Sequence, residues 1–212
     1  MDLAQYIDHT ILKADATLKD IEKVCQEAME YHFAAVCMNP CFVSHATGIL
    51  KNSGVGLATV VGFPLGASTI AIKVREAEDA VKNGATEIDM VMAIGLFKSG
   101  NFKRVEEDIR EVVRISAGKP VKVIIETCYL TPEEITKASV ICAEAGAAYV
   151  KTSTGFGSRG ASVDDVKLIK AAVGNRCKIK ASGGIKTKEQ ALQMIEAGAV
   201  RIGTSSGVAI VS

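Results

Sequence analysis

The sequence predicts a closed (β/α)8 barrel, the TIM-barrel architecture, as a single domain over residues 1–212, and three observations predict it. Short runs rich in valine and isoleucine alternate with longer amphipathic ones. Eight such runs, centred near Ile7, Val36, Val60, Asp89, Ile124, Val150, Ile179 and Ile202, lie 23 to 35 residues apart. That interval holds one strand, one crossover helix and two loops. A glycine triplet also recurs between a helical stretch and the next strand: Asn83-Gly84-Ala85, Ala145-Gly146-Ala147 and Ala197-Gly198-Ala199.

Each element has its own local reason. GLATVVGF, VKVIIE and YVKTS barely alternate between apolar and polar residues, as strands covered on both faces do. The triplet glycines supply the left-handed backbone that ends a helix. Thr131-Pro132-Glu133-Glu134 combines a capping box with proline at the first helical position. Thr187 with Gln190 is a second capping box, and Ser162 with Asp165 and Thr17 with Asp20 are weaker versions. The alternative is a doubly wound open sheet, which requires a glycine-rich loop after the first strand. The first strand leads into Asp8-His9-Thr10 instead. Only six residues follow Ser206, so the eighth helix is expected to be short or cut off.

Composition narrows the function. The 212 residues are 48% hydrophobic and 23% charged, with 25 basic against 24 acidic side chains and a net charge of +1. No basic stripe suited to nucleic acid is present, so an anionic ligand must be held by a few local groups. Val55 to Leu65 is the most apolar stretch and is too short to cross a bilayer. The opening MDLAQYIDHTILKADATLKD carries acidic residues where a secretory signal needs a cationic end and an apolar run. Cysteines 25, 37, 41, 128, 142 and 177 form no C-x-x-C pair and read as reduced thiols. A cytoplasmic enzyme with no membrane or nucleic-acid partner is the expectation.

In such a barrel, chemistry sits at the C-terminal ends of the strands. Lys151 stands in Ala148-Tyr149-Val150-Lys151-Thr152-Ser153-Thr154-Gly155, central to its strand and followed by three hydroxyls. A lysine in a buried parallel strand is costly unless paired or neutral, so a functional role outweighs a snorkelling one. Lys180 lies before Gly183-Gly184 and is evenly balanced between structure and function; Lys178, on the same face, sits at the strand start and reads as structural. Asp89, flanked by Ile88 and Met90, must be paired or catalytic.

Together these three residues suit a nucleophilic amine. An ordinary lysine has a pKa of ~10.4, so about one in 2,500 is neutral at pH 7. A second ammonium nearby lowers that pKa by repulsion, and burial adds to it. Lowering it by ~3 units takes roughly 4 kcal/mol, which a partly buried cation a few ångström away can supply. The carboxylate then keeps the second lysine charged and can relay protons.

A phosphate site is a separate signal. Gly155, Gly183-Gly184 and Gly203-Thr204-Ser205-Ser206 follow the sixth, seventh and eighth strands. Loops there, with a short helix behind the last, are the usual phosphate site of such barrels. The alternative is that these glycines only make tight turns. His9, His32 and His45 have no metal-ligand spacing, and no metal or other cofactor is expected. His32 reads as a surface or capping residue late in a helix, and His9 as a residue that could meet a ligand after the first strand. Cys37 has no evident base and is the weaker nucleophile.

Seven segments carry a resemblance. They are Tyr6-Ile7-Asp8-His9-Thr10, Val36-Cys37-Met38-Asn39-Pro40, Val61-Gly62-Phe63-Pro64-Leu65-Gly66, Glu87-Ile88-Asp89-Met90-Val91, Lys151-Thr152-Ser153-Thr154-Gly155-Phe156, Lys180-Ala181-Ser182-Gly183-Gly184-Ile185 and Gly203-Thr204-Ser205-Ser206. In this order, through nearly the whole chain, they closely resemble the deoxyribose-phosphate aldolases. The resemblance implies reversible cleavage of 2-deoxy-D-ribose 5-phosphate to D-glyceraldehyde 3-phosphate and acetaldehyde, in deoxynucleoside catabolism. It implies that Lys151 forms the Schiff base, with Lys180 and Asp89 as its proton-transfer partners. It also implies phosphate contacts at Gly155, Gly183, Gly184, Gly203, Ser205 and Ser206, and a cytoplasmic homo-oligomer, dimer or tetramer. Three other readings stay open: a lysine aldolase or transaldolase for another sugar phosphate, a phosphate-binding isomerase without covalent chemistry, and a non-catalytic metabolite-binding barrel.

Overall fold

The computed structural model describes residues 2–212; Met1, the first residue of the expected domain, lies outside the described residues. Eight parallel strands close on themselves in chain order. They are β1 (Ile7–Ile11), β2 (Ala35–Met38), β3 (Gly56–Val61), β4 (Glu87–Val91), β5 (Val121–Ile124), β6 (Tyr149–Lys151), β7 (Lys178–Ser182) and β8 (Arg201–Thr204). Pairing of β1 with β8, Asp8 opposite Gly203, completes the ring and leaves no open edge. The open-sheet alternative is thereby overturned. All eight expected centres fall inside strands. Ile7 and Ile124 mark strand ends, because β1 runs on through His9 to Ile11 and β5 stops at Ile124.

Helices α1 (Leu18–Glu30), α2 (Val43–Ile49), α3 (Ile70–Lys82), α4 (Ile94–Lys98), α5 (Phe102–Ile115), α6 (Pro132–Glu144), α7 (Val163–Val173), α8 (Lys188–Glu196) and α9 (Gly207–Val211) surround the ring. The longest interval between strands, β4 to β5, holds two of them. Their ends follow the sequence signals. Gly84, Gly146 and Gly198 take φ of 108°, 87° and 120°, the left-handed region that glycine enters without strain. Thr131 and Thr187 form full capping boxes. So does Thr17, through Asp20, where a weaker cap was expected. Ser162 caps α7 in one direction only, because the Asp165 carboxylate turns to Arg159 and Thr127. The last helix is short, five residues, as expected.

The helices pack apolar stripes on the barrel. On α5, Val105, Ile109 and Val112 are fully buried, each stabilising by about 1.5–3 kcal/mol. Asp108 shares that face and is ion-paired with buried Lys73 of α3, whose Nζ also donates to the carbonyl of Val91 at 2.9 Å. No helix among the described residues is long and apolar enough to cross a membrane.

Candidate active site

The interior of the barrel is charged. Register brings this about: Lys151 of β6 pairs with Lys180 of β7, Lys180 with Arg201 of β8, and Asp89 of β4 with Lys122 of β5. The two-residue strand period turns all of them inward. Asp89 is the hub. Its Oδ2 accepts from Lys151 Nζ at 2.8 Å and Lys180 Nζ at 2.7 Å, and its Oδ1 accepts from Lys122 Nζ at 2.7 Å. Asp8 of β1 lies 2.5 Å from Lys180 Nζ and 2.5 Å from Arg201. Glu87 holds Lys122 at 2.5 Å and Arg201 at 3.0 Å.

Four cations thus face three carboxylates, and all of them except Glu87 and Arg201 are essentially fully buried. The cluster balances when one cation is neutral. Electrostatics singles out which. Burial pushes the Lys151 ammonium below its usual pKa and repulsion from Lys180 adds to it, outweighing the pull of Asp89. Burial acts on Lys180 as well, but Asp8 and Asp89 together more than reverse it and hold the ammonium on. Lys122 is likewise raised against burial, chiefly by Asp89. Burial would raise Asp89, yet Lys122, Lys151 and Lys180 keep its carboxyl well below the usual range.

Position agrees with charge. A cavity of about 840 Å³ opens at the C-terminal ends of the strands, and Lys151 alone of the three buried strand lysines lines it. Lys151 is the last residue of β6, where the sequence suggested a central position; the Thr152 carbonyl already leaves the strand to accept from Thr127 N at 3.0 Å. Lys151 therefore stands at the strand end, the place where barrels of this architecture carry their active sites. Lys180 and Lys122 lie beneath it. Lys178 is exposed at the start of β7, over the Tyr149 ring, in the structural role expected.

Gly155, Gly183, Gly184, Gly203, Ser205 and Ser206 all line the same cavity, together with the cation of Lys186. The backbone N–H groups of Gly155, Gly183, Gly184 and Ser205 donate to no acceptor among the described residues. Gly203 has a second reason to be glycine: a Cβ there would sit 3.0 Å from Lys180 Cε and 2.9 Å from Ser182 Cβ. The three hydroxyls after Lys151 are divided. Thr152 Oγ1 bonds the backbone of Ser182, Thr154 Oγ1 bonds Glu126, and Ser153 Oγ has no partner among the described residues.

The other candidates fall outside the cluster. His9 lies within β1 and not after it; its Nε2 is 2.7 Å from Glu27 Oε2 of α1, in the cavity wall. His32 lies just past α1 with φ 55°. Cys37 Sγ is 3.9 Å from Asp89, and burial, with the Asp89 charge behind it, pushes the thiol up, which makes it inert. No group of three or more His, Cys, Asp or Glu side chains among the described residues is arranged to hold a metal ion.

Asp8, Glu87, Lys122 and Arg201 were missed as site residues. Lys122 carried the signal that exposed Lys151, a lysine inside a Val-rich strand. Asp8, Glu87 and Arg201 sit at or near strand starts, where a charge ordinarily reaches solvent. Lys186 follows Gly183-Gly184-Ile185 and was likewise not singled out.

Comparison with known proteins identifies the family. The sequence model of the DeoC/LacD family aldolases matches residues 3–212. A deoxyribose-phosphate aldolase of Carboxydothermus hydrogenoformans is 58% identical over 212 residues, covering 98% of this chain and 93% of that protein. Among solved structures, "QR15, an Aldolase" superposes with a TM-score of 0.96 at 46% identity, covering 100% of this chain and 95% of the other. The deoxyribose phosphate aldolase of Aeropyrum pernix, described as a unique tetramer, superposes at 0.93 with 33% identity, covering 99% and 89%. The chain therefore belongs to the DeoC/LacD aldolase family, among the deoxyribose-phosphate aldolases, and is an enzyme of the lyase class.

Proposed function

We propose that the enzyme cleaves 2-deoxy-D-ribose 5-phosphate reversibly to D-glyceraldehyde 3-phosphate and acetaldehyde through a Schiff base on Lys151. One observation carries the reading: of three buried strand lysines, only Lys151 both faces the cavity and is pushed towards its neutral form.

The neutral Lys151 amine adds to the C1 aldehyde of the open-chain sugar, and loss of water with uptake of one proton leaves an iminium. The C2–C3 bond breaks as the C3 hydroxyl gives up its proton through water to Asp89, from which Lys180 is recharged after it has donated, and the bonding electrons pass into an enamine. In the free enzyme, Asp89 is held by the ammonium groups of Lys122 and Lys180 and by the Lys151 amine, and is a weak base. Conversion of Lys151 to the iminium leaves one N–H on that nitrogen in place of two, so Lys151 holds Oδ2 by at most one bond. Lys180, kept charged by Asp8 and Asp89, is the matching donor when the enamine is protonated at C2. Hydrolysis then releases acetaldehyde and restores the amine.

The phosphate is assigned to the loops after β6, β7 and β8. Their unpaired N–H groups, with Lys186, suit a dianion held locally on a chain of net charge +1. We also take the chain to form a homo-oligomer, in line with the tetrameric relative and with exposed Leu65, Ile72, Tyr129 and Phe156.

Borohydride reduction in the presence of acetaldehyde, followed by peptide mapping, tests the mechanism. An ethyl adduct on Lys151 is the expected result. Adduct on Lys180, or none, overturns it.

A further inference from the structure

The loop after β6 is held by a carboxylate that the reaction does not use. Glu126 lies two residues beyond β5, is 2% exposed and makes no salt bridge among the described residues. Its φ of 54° places a non-glycine residue in the left-handed region, a conformation kept only where the surroundings enforce it. What enforces it is Thr154. The two carboxylate oxygens accept from Thr154 N at 3.3 and 3.2 Å, and Oε2 also accepts from Thr154 Oγ1.

That last bond fixes the direction of the hydroxyl. With its proton given to Glu126, Thr154 Oγ1 accepts from Phe156 N at 3.0 Å and closes a turn around Gly155, φ 90°. The chain is drawn tight against the carboxylate: a Cβ on Gly157 would lie 3.3 Å from Glu126 Cδ and 2.5 Å from Cys128 Sγ. The same device recurs on β8. Thr204 Oγ1 donates to the Ile185 carbonyl at 2.7 Å and accepts from Ser206 N at 2.9 Å, closing a turn around Ser205. The two threonine turns flank the Gly183-Gly184 loop, and all three border the cavity. One turn is anchored by a carbonyl, the other by Glu126.

We propose that Glu126 is a positioning residue for the anion end of the site, fixing the Thr154–Phe156 turn so that the Gly155 N–H points at the phosphate. This rests on the phosphate assignment above. Glu126 itself does not line the cavity and acts through Thr154.

A double-mutant cycle tests it. Glu126→Leu removes the acceptor, and Thr154→Val removes the hydroxyl while keeping its shape. Each is expected to raise KM for deoxyribose 5-phosphate about tenfold, the loss of one well-placed charged hydrogen bond. The double variant rises no further, because both changes break one link. KM for unphosphorylated deoxyribose and the trapping of acetaldehyde on Lys151 stay at wild-type levels. Thr154→Ser restores the hydroxyl and with it the preference for the phosphorylated sugar. Additive effects, equal losses on both sugars, or an unchanged KM overturn the proposal. If Glu126→Leu does not fold, the contrast between Thr154→Val and Thr154→Ser decides alone. A wild-type enzyme that makes no distinction between the two sugars refutes the phosphate assignment itself, whereas a wild-type preference retained by the variants refutes only the role of Glu126.

Discussion

Lys180 Nζ lies 2.5 Å from Asp8 Oδ2, a contact that reaches from β7 past β8 to β1 inside the barrel. Neither residue lines the cavity that Lys151 faces, yet the pair bears on the charge of Lys151. Asp8 and Asp89 keep Lys180 protonated, and a protonated Lys180 helps to keep Lys151 neutral.

Lys180→Leu is therefore expected to cripple turnover in a folded protein. With that cation gone, three carboxylates face three cations, and the balanced state is the one with Lys151 protonated. The pKa of Lys151 rises, so acetaldehyde trapping slows at neutral pH and its pH midpoint moves upward. The proton taken up by Lys151 also limits the cost of breaking a buried pair. The pH dependence of borohydride trapping in both proteins checks this. A folded variant with near-normal turnover and an unmoved midpoint makes Lys180 structural only.

Lys151→Arg puts a permanent positive charge beside Asp89 and keeps most of the side-chain length. Arginine, with a pKa above ~12, offers no neutral amine. Activity is expected to fall by several orders of magnitude and the acetaldehyde adduct to vanish, while binding of inorganic phosphate persists. Substantial turnover in this variant, measured alongside circular dichroism to establish folding, means that the charge and not the amine mattered.

Ser206→Asp places a carboxylate in the wall shared by Gly183, Gly184 and Lys186. Repulsion of the phosphate should raise KM for deoxyribose 5-phosphate by tenfold or more, about 1.4 kcal/mol per factor of ten. Unphosphorylated deoxyribose should be affected much less. Steady-state kinetics on both sugars read the difference, and matched losses contradict the assignment.

Chelation should leave the rate unchanged. Every carboxylate of the buried cluster is already held by an ammonium or guanidinium group, so no oxygen is left to gather around a cation. Assays after dialysis against EDTA check it; activity lost there and restored by a divalent ion contradicts the Schiff-base mechanism.

Much of this arrangement was legible along the chain because it depends on neighbours in sequence. Strand spacing, the helix-ending glycines and the capping boxes at Thr131 and Thr187 each act within a few residues. Lys151, Lys180 and Asp89 stood out because an ionised group in an apolar strand is too costly to be idle. The same test applied to Lys122 would have found it as well. Glu126 gave no such signal, since its left-handed backbone and its grip on Thr154 exist only after β5 and β6 are side by side.

The eight-unit barrel and the presence of ionisable groups in apolar strands can be read along the chain, for both follow from local period and burial cost. The charge difference between the two strand lysines arises only in the folded barrel. Lys151 and Lys180 occupy similar strands, and their difference comes from partners far away in sequence. Closure of the barrel brings Asp8 of β1 onto Lys180 of β7, while Lys151 keeps one carboxylate and opens to the cavity. Burial disfavours both charges, and the number of carboxylates within reach decides which of the two keeps its proton.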